Sequence, residues 1–227
     1  MMRELPVLQI LKNNILHKEG DTMKKKILFI GDSITDCGRD YSNIESLGNG
    51  YVDILYNEFL KDEYTIINKG IAGNKISNIL ERIENDCINL KPDLVSILIG
   101  INDVWHFMNL DYYDVEAEMN RFENTYRELI KKIKSADIEN IFILEPFVLP
   151  YPEDRKMWRN DIDKRIQIIR NIANEYDCKF VSIDGAINAE YINNNFYKYS
   201  EDGVHPTFEG HKIIAHQWIS QFKKFKI

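Results

Sequence analysis

Five short apolar runs decide what this chain can fold into: ILFI (27–30), YTIIN (64–68), LVSILI (94–99), IFIL (141–144) and KFVSI (179–183). Each is rich in β-branched or aliphatic residues and nearly continuous rather than alternating, the pattern of strands covered on both faces. Stripes at helical spacing lie between and beyond them. Val115, Met119, Phe122, Tyr126, Leu129 and Ile133 recur every three or four residues, as do Ile162, Ile166, Ile169 and Ala173, and then Ile214, Trp218 and Phe222. Such a stripe buries one helix face. Repeated alternation of strand and helix predicts an α/β fold with a parallel five-stranded sheet between helices. In open sheets of this kind ligands bind beyond the carboxyl ends of the strands. Chemistry is therefore expected in the segments just after the five runs, or in the loop before the last helix.

The 227 residues, 44% of them hydrophobic, carry no Pro/Gly/Ser-rich linker, low-complexity tract or solenoid repeat, so one domain is expected over residues 23–227. Residues 1–22 read as an N-terminal extension. Gln9, Lys12, Asn13 and Asn14 interrupt any signal-peptide core, and no small-residue cleavage site follows. Met23 before KKKILFIGD reads as an alternative start, and a short accessory helix at an interface is the other reading; both stay open. A net charge of −7 argues against a nucleic-acid binder, which needs a basic face to release counterions from phosphates. No run approaches the roughly eighteen apolar residues of a membrane span. Cys37, Cys87 and Cys178 are odd in number and lack a framework spacing, which fits free thiols in a reducing, cytoplasmic setting.

Four polar clusters fall where chemistry is expected. GDSIT (31–35) follows the first run, NKGIAGN (68–74) the second and GIND (100–103) the third, while DGVHP (202–206) precedes the last helix. A phosphate cradle is excluded, because neither GxxxxGK[ST] nor GxGxxG follows the first strand. The GxSxG elbow is missing too, since Thr35 stands where its final glycine belongs. A flavin site would want a longer hydroxyl-rich loop. A nucleophilic serine fits better: Ser33 needs an imidazole to take its proton, and His205 is the candidate base. Asp202, three residues earlier, is placed to hold the imidazole tautomer and stabilise its protonated form. An oxyanion would need donors already aimed at it. The Ser33 N–H, the Gly73 N–H and the Asn102 side-chain amide are the candidates. For Gly73 the expected reason is that a residue without Cβ lets the backbone approach closely.

Other residues near these clusters carry weaker expectations. Asp32 and Asp103 read as loop-bracing acceptors rather than an acid/base pair, with Asp32 also a tentative substrate contact. Trp105 and Phe147 are tentative substrate-binding residues, and His106 lies beside Trp105 at the pocket. The stretch PFVLPYPEDRKMW (146–158) is placed to form a pocket lid or an oligomer contact. Arg39 reads equally as a brace or a substrate contact, and Cys37 as a packed thiol. His205, His211 and His216 do not share one helical face, and no HExxH or CxxC is present, so no metal and no cofactor are expected.

Ser33, Gly73, Asn102 and His205, in that order within GDSIT, KGIAGN, GIND and DGVHP, resemble the four signature blocks of the SGNH (GDSL) hydrolase superfamily over about residues 24–220. The resemblance implies a three-layer α/β/α flavodoxin-like fold and metal-free ester hydrolysis through an acyl-serine intermediate. The catalytic triad would be Ser33, Asp202 and His205, and the oxyanion hole Ser33, Gly73 and Asn102. GDSITDCGR (31–39), LGNGYV (47–52), NKGIAGN (68–74) and GINDVW (100–105) look like the intracellular acetylxylan esterases of that superfamily. This implies removal of acetyl groups from acetylated xylo-oligosaccharides, with a homo-oligomer as a further expectation. The polar segment YKYSED (197–202) departs from esterases that carry an aromatic wall there, which bears on sugar preference. Two rivals stand beside this expectation: a lipase, lysophospholipase or thioesterase on the same machinery, and a non-catalytic carbohydrate-binding relative.

Overall fold

A computed structural model describes residues 24–225, apart from 109, 111–113 and 195. The extension expected over 1–22 lies outside the described residues. Five strands form: β1 Lys25–Gly31, β2 Tyr64–Gly70, β3 Leu94–Leu98, β4 Ile141–Leu144 and β5 Lys179–Val181. All pair in parallel, in the order β2-β1-β3-β4-β5. The helices are α1 Ser33–Asp36, α2 Tyr51–Leu55, α3 Ile76–Asp86, α4 Ile101–Met108, α5 Val115–Lys134, α6 Arg155–Glu175, α7 Asp184–Asn193 and α8 Phe208–Phe222. Each apolar run of the sequence became a strand within two residues of its expected ends.

The strands are apolar on both sides because each side meets its own core. Ile27, Phe29, Leu94, Leu98, Phe142 and Leu144 pack with α2 and α8 residues such as Leu55, Ile214, Trp218 and Phe222. Their strand neighbours Leu28, Ile30, Val95, Ile97, Ile141 and Ile143 pack with Ile79 and Ile83 of α3 and Phe122, Tyr126, Leu129 and Ile133 of α5. This is the period of two expected of a pleated strand, with apolar residues at both phases. Fully burying one such side chain contributes roughly 1.5–3 kcal/mol. The one polar break in the centre is satisfied: Ser96 Oγ accepts the Trp218 indole N–H at 3.0 Å. Helix α6 serves both cores. Its Trp158, Ile162 and Ile166 join the first and its Ile169, Ile172 and Ala173 the second. The α5 stripe is buried from Phe122 onward, while Val115 in the first turn stays exposed.

The strand order reverses between β1 and β3, with β2 on the far side of β1. A crevice opens at such a switch point, outside the strand ends. Among the described residues no helix is long and apolar enough to cross a membrane.

Candidate active site

Ser33 opens α1 directly after β1, half-buried at the sheet edge. The turn is fixed by Asp32, whose side chain caps α1 by accepting the Ile34 N–H at 3.0 Å. The helix can sit down on the sheet because Gly70, ending β2, has no side chain. A Cβ there would come within 2.2 Å of the Asp36 backbone nitrogen. Asn68 adds a buried clamp: its amide donates to Thr35 O and Leu47 O, both at 2.7 Å, and its oxygen accepts the Gly70 N–H at 2.8 Å. Both polar atoms of that side chain have partners inside the protein, so the Ser33 turn is tied to both β2 and the LGNGYV segment.

His205 Nε2 lies 3.0 Å from Ser33 Oγ, and His205 Nδ1 lies 2.7 Å from Asp202 Oδ2. The other Asp202 oxygen accepts the backbone N–H groups of Val204 at 2.9 Å and His205 at 2.7 Å. Half-burial pushes the Asp202 carboxyl up, but these hydrogen bonds and the His205 charge outweigh it and hold it well below the usual range. Conversely, the Asp202 hydrogen bond raises His205 above an ordinary imidazole, against the opposing effect of its own partial burial. With Nδ1–H committed to a carboxylate, Nε2 faces Ser33 as a proton acceptor.

The loop carrying this pair is braced from behind by the segment after β4. Leu149 N–H donates to Gly203 O at 2.8 Å, and the Tyr151 hydroxyl donates to Ser200 O. The first part of the 146–158 stretch, expected as a lid or an oligomer contact, turns into the core instead. Phe147, Val148 and Leu149 are wholly buried in the first core. Phe147 is therefore a core residue and not a cleft contact: its place after a strand end was right for a site, but its ring turns inward.

Asn102 is the second residue of α4, after β3, and its side-chain nitrogen donates to Asn74 O at 3.1 Å. That bond uses one amide hydrogen and leaves the geometry of the second fixed. Beside it, Asp103 is fully buried and accepts the Ile76 N–H at 3.0 Å, so adjacent residues of α4 grip both ends of the 74–76 segment. Burial lifts the Asp103 carboxyl to about 6 against the nearby Arg165 charge. Asp36 holds the same loop from the nucleophile side, taking the Ala72 N–H at 3.0 Å. Gly73 has φ +79, which favours glycine, whereas a Cβ there would meet nothing within 4 Å. Its positive φ adds a conformational requirement for glycine, and the open space beside it belongs to the cleft that Gly73 lines.

Ser33, Ala72, Gly73, Asn102, Trp105, His106 and His205 together line a cleft of about 380 Å³. Trp105 forms one wall, its ring centroid 5.8 Å from that of His205. Behind it, the Arg155 guanidinium lies 4.7 Å from the Trp105 ring centre and 4.0 Å from that of Trp158, and its Nε donates to Asp202 O at 3.3 Å. Sequence reasoning missed Arg155, because a single arginine at a helix start carries no motif. Asp32 is nearly inaccessible (1% exposed) and is not among the cleft-lining residues, and burial lifts its carboxyl to about 7. Arg39 is not among the cleft-lining residues; it donates to Gly70 O at 3.0 Å with its guanidinium over Tyr41. Cys37 packs against His211 Nε2 at 3.3 Å, and burial lowers that imidazole to about 4. Among the described residues no group of three metal-ligating side chains occurs.

Comparison with known proteins places the chain in a family. Residues 29–213 match the GDSL-like lipase/acylhydrolase family. An acetylxylan esterase from Geobacillus stearothermophilus is 34% identical over 206 residues, 87% of this chain and 93% of that protein. Its crystal structure superposes with a TM-score of 0.76 at 32% identity, covering 89% of this chain and 95% of that one. A GDSL-like lipase from Parabacteroides merdae superposes with a TM-score of 0.80 at 34% identity, covering 88% of this chain and 97% of the other. With most of its length matched in sequence and in fold, the chain belongs to the GDSL-like lipase/acylhydrolase family and is a carboxylic ester hydrolase.

Proposed function

We propose that this enzyme is a cytoplasmic serine esterase that removes acetyl groups from carbohydrate hydroxyls, with acetylated xylo-oligosaccharides as the substrate class. The observation that carries the mechanism is the continuous Ser33–His205–Asp202 hydrogen-bond chain, 3.0 Å and then 2.7 Å, opening on the cleft. Ser33 Oγ attacks the acetyl carbonyl carbon as its proton passes to His205 Nε2. The resulting oxyanion is received by the N–H groups of Ser33 and Gly73 and the Asn102 amide. Collapse breaks the bond to the sugar oxygen, which takes the proton from His205 and departs, leaving acetyl-Ser33. Water then gives a proton to His205 and attacks the acetyl carbon, releasing acetate and restoring Ser33.

Two features support a short acyl group on a bulky alcohol. The cleft is small, and its apolar wall is the half-buried Trp105, a flat surface on which a sugar ring can lie. The similar protein from Geobacillus stearothermophilus bears the name acetylxylan esterase. The test compares p-nitrophenyl acetate with the octanoate ester, and then acetylated xylo-oligosaccharides with other acetylated sugars. Preference for acetate and for the xylo-oligosaccharides is expected; a strong preference for octanoate would point to the lipase or thioesterase rival. Ser33→Ala is expected to lower kcat about 10⁴-fold or more, with no acetyl adduct on the protein by mass spectrometry. Unchanged hydrolysis by that variant would overturn the Ser33 mechanism, and a wild type that binds acetylated sugars without hydrolysing them would leave the binding-protein rival.

A further inference from the structure

Arg82 lies in the middle of α3, and it is not among the residues lining the cleft. Its half-buried guanidinium nevertheless reaches two segments that carry the oxyanion donors. Nε donates to Asn74 Oδ1 at 2.8 Å, and Nη2 donates to Gly31 O at 3.1 Å. Gly31 is the last residue of β1, two before Ser33. Asn74 follows Gly73, and its carbonyl is the acceptor for the Asn102 amide. One planar group thus spans the backbone leading to the Ser33 N–H and the loop that offers the Gly73 N–H and anchors Asn102. The fork is itself held: Nη1 donates to Asp86 Oδ2 at 2.9 Å, and Lys69 Nζ pairs with the other Asp86 oxygen at 3.3 Å. A rigid guanidinium with donors in a fixed plane suits this task, whereas a lysine ammonium offers a point charge on a flexible stem.

We propose that Arg82 is a positioning residue of the oxyanion hole, setting the separation between the Ser33 N–H on one side and the Gly73–Asn102 donors on the other. The inference rests on the catalytic reading given above. Donors displaced by a fraction of an ångström lose much of their hold on a developing oxyanion and little of their hold on a neutral ester. The expected signature is a fall in kcat with KM almost unchanged. It should come with equally weakened binding of phenylboronic acid, whose tetrahedral adduct with Ser33 places an oxygen in the hole.

Arg82→Gln and Asn74→Ala break the same link from its two ends, and the second leaves the Asn74 carbonyl in place for Asn102. Each is expected to lower kcat for p-nitrophenyl acetate about 10-fold, to weaken phenylboronate by the same factor and to leave the acid limb of kcat/KM where it was. The double variant is expected to lose no more than the worse single one. Multiplying losses, or a kcat loss with phenylboronate affinity intact, would overturn the inference, as would a moved acid limb. If Arg82→Gln does not fold, Asn74→Ala carries the test alone through its kcat and boronate factors. If Ser33→Ala retains activity, the catalytic reading itself fails; if Ser33→Ala is inactive while both link variants behave as wild type, only the Arg82 inference fails.

Discussion

The two halves of the proposed site are held in opposite ways. The acid–base half is one tight turn of chain, in which Asp202 binds the backbone of the two residues that follow the glycine and the ring of His205. It stands in solvent, with the His205 and Asp202 side chains 49% and 36% exposed. The oxyanion half is drawn from the ends of three strands: its donors run from exposed Gly73 through half-buried Ser33 to Asn102 at 9% exposure, over a support, Asp103, that is 0% exposed. Its parts meet through Asn68, Asp36, Arg82 and Asp103, none of which lines the cleft. The acid–base pair is set by hydrogen bonds within its own turn, with Leu149, Tyr151 and Arg155 bracing the loop from behind, whereas a hole assembled from three strand ends is sensitive to every residue that sets their spacing. Substitutions in the two halves should therefore leave different kinetic marks.

The largest of these effects is expected at Asp202. Asparagine would keep the size of the side chain but lose the anion, and its amide can leave the imidazole in the wrong tautomer. Asp202→Asn should lower kcat by about 10⁴-fold. The sign of the pH effect follows from the hydrogen bond that now raises His205. His205 must be neutral to accept the Ser33 proton, so wild-type kcat/KM should fall on the acid side at a pH above the ordinary imidazole value. Removing Asp202 lowers that pKa, and the acid limb of the residual activity should move to lower pH. A limb that stays put or moves upward would break the assignment of Asp202 as the partner of His205.

Asn102→Ala tests the other half and should be milder. Loss of one oxyanion donor removes about 3–4 kcal/mol of transition-state stabilisation, or 10²–10³ in kcat. KM and the acid limb should hardly move, because Asn102 touches neither His205 nor Asp202 among the bonds described. A limb shift as large as that of Asp202→Asn would dissolve the distinction between the halves.

The same contrast governs what could be read from the chain. The acid–base half was legible because its members are three residues apart, and because an Asp three before a His at a helix entrance has few other purposes. The strands were legible because both faces are covered, which leaves an apolar run with no polar phase. The supports of the oxyanion half were hidden for a physical reason. Arg82 and Asp86 stand at i and i+4 on α3, which in sequence looks like any surface ion pair. Only the folded sheet brings Gly31 O and Asn74 Oδ1 within reach of the same guanidinium. Phe147 failed in the opposite direction. Position after β4 placed it at the right edge of the sheet, but nothing in the sequence says which way a ring faces once the chain leaves the strand. Val148 and Leu149 beside it are buried as well, and that cluster of three apolar residues was the available sign that the segment turns into the core.

The smallest effect joins the two halves at Asp32. Its carboxyl is buried beneath the nucleophile turn, raised to about 7 by loss of solvent and lowered in part by the Ile34 N–H and the charge of His205. The reciprocal effect of its charge is to raise His205, more weakly than the Asp202 hydrogen bond does. Asp32→Asn keeps an oxygen for the Ile34 N–H and so preserves the cap on α1. It removes only the charge. At a pH well above the acid limb, kcat should stay within a few-fold of wild type, since Asn is as good an N-cap as Asp. The acid limb should shift to lower pH, by less than in Asp202→Asn. A pH–rate profile of the two variants beside the wild type decides the point. An unmoved limb would show that the Asp32 carboxyl stays protonated through the working range, and that the acid–base half answers to Asp202 alone.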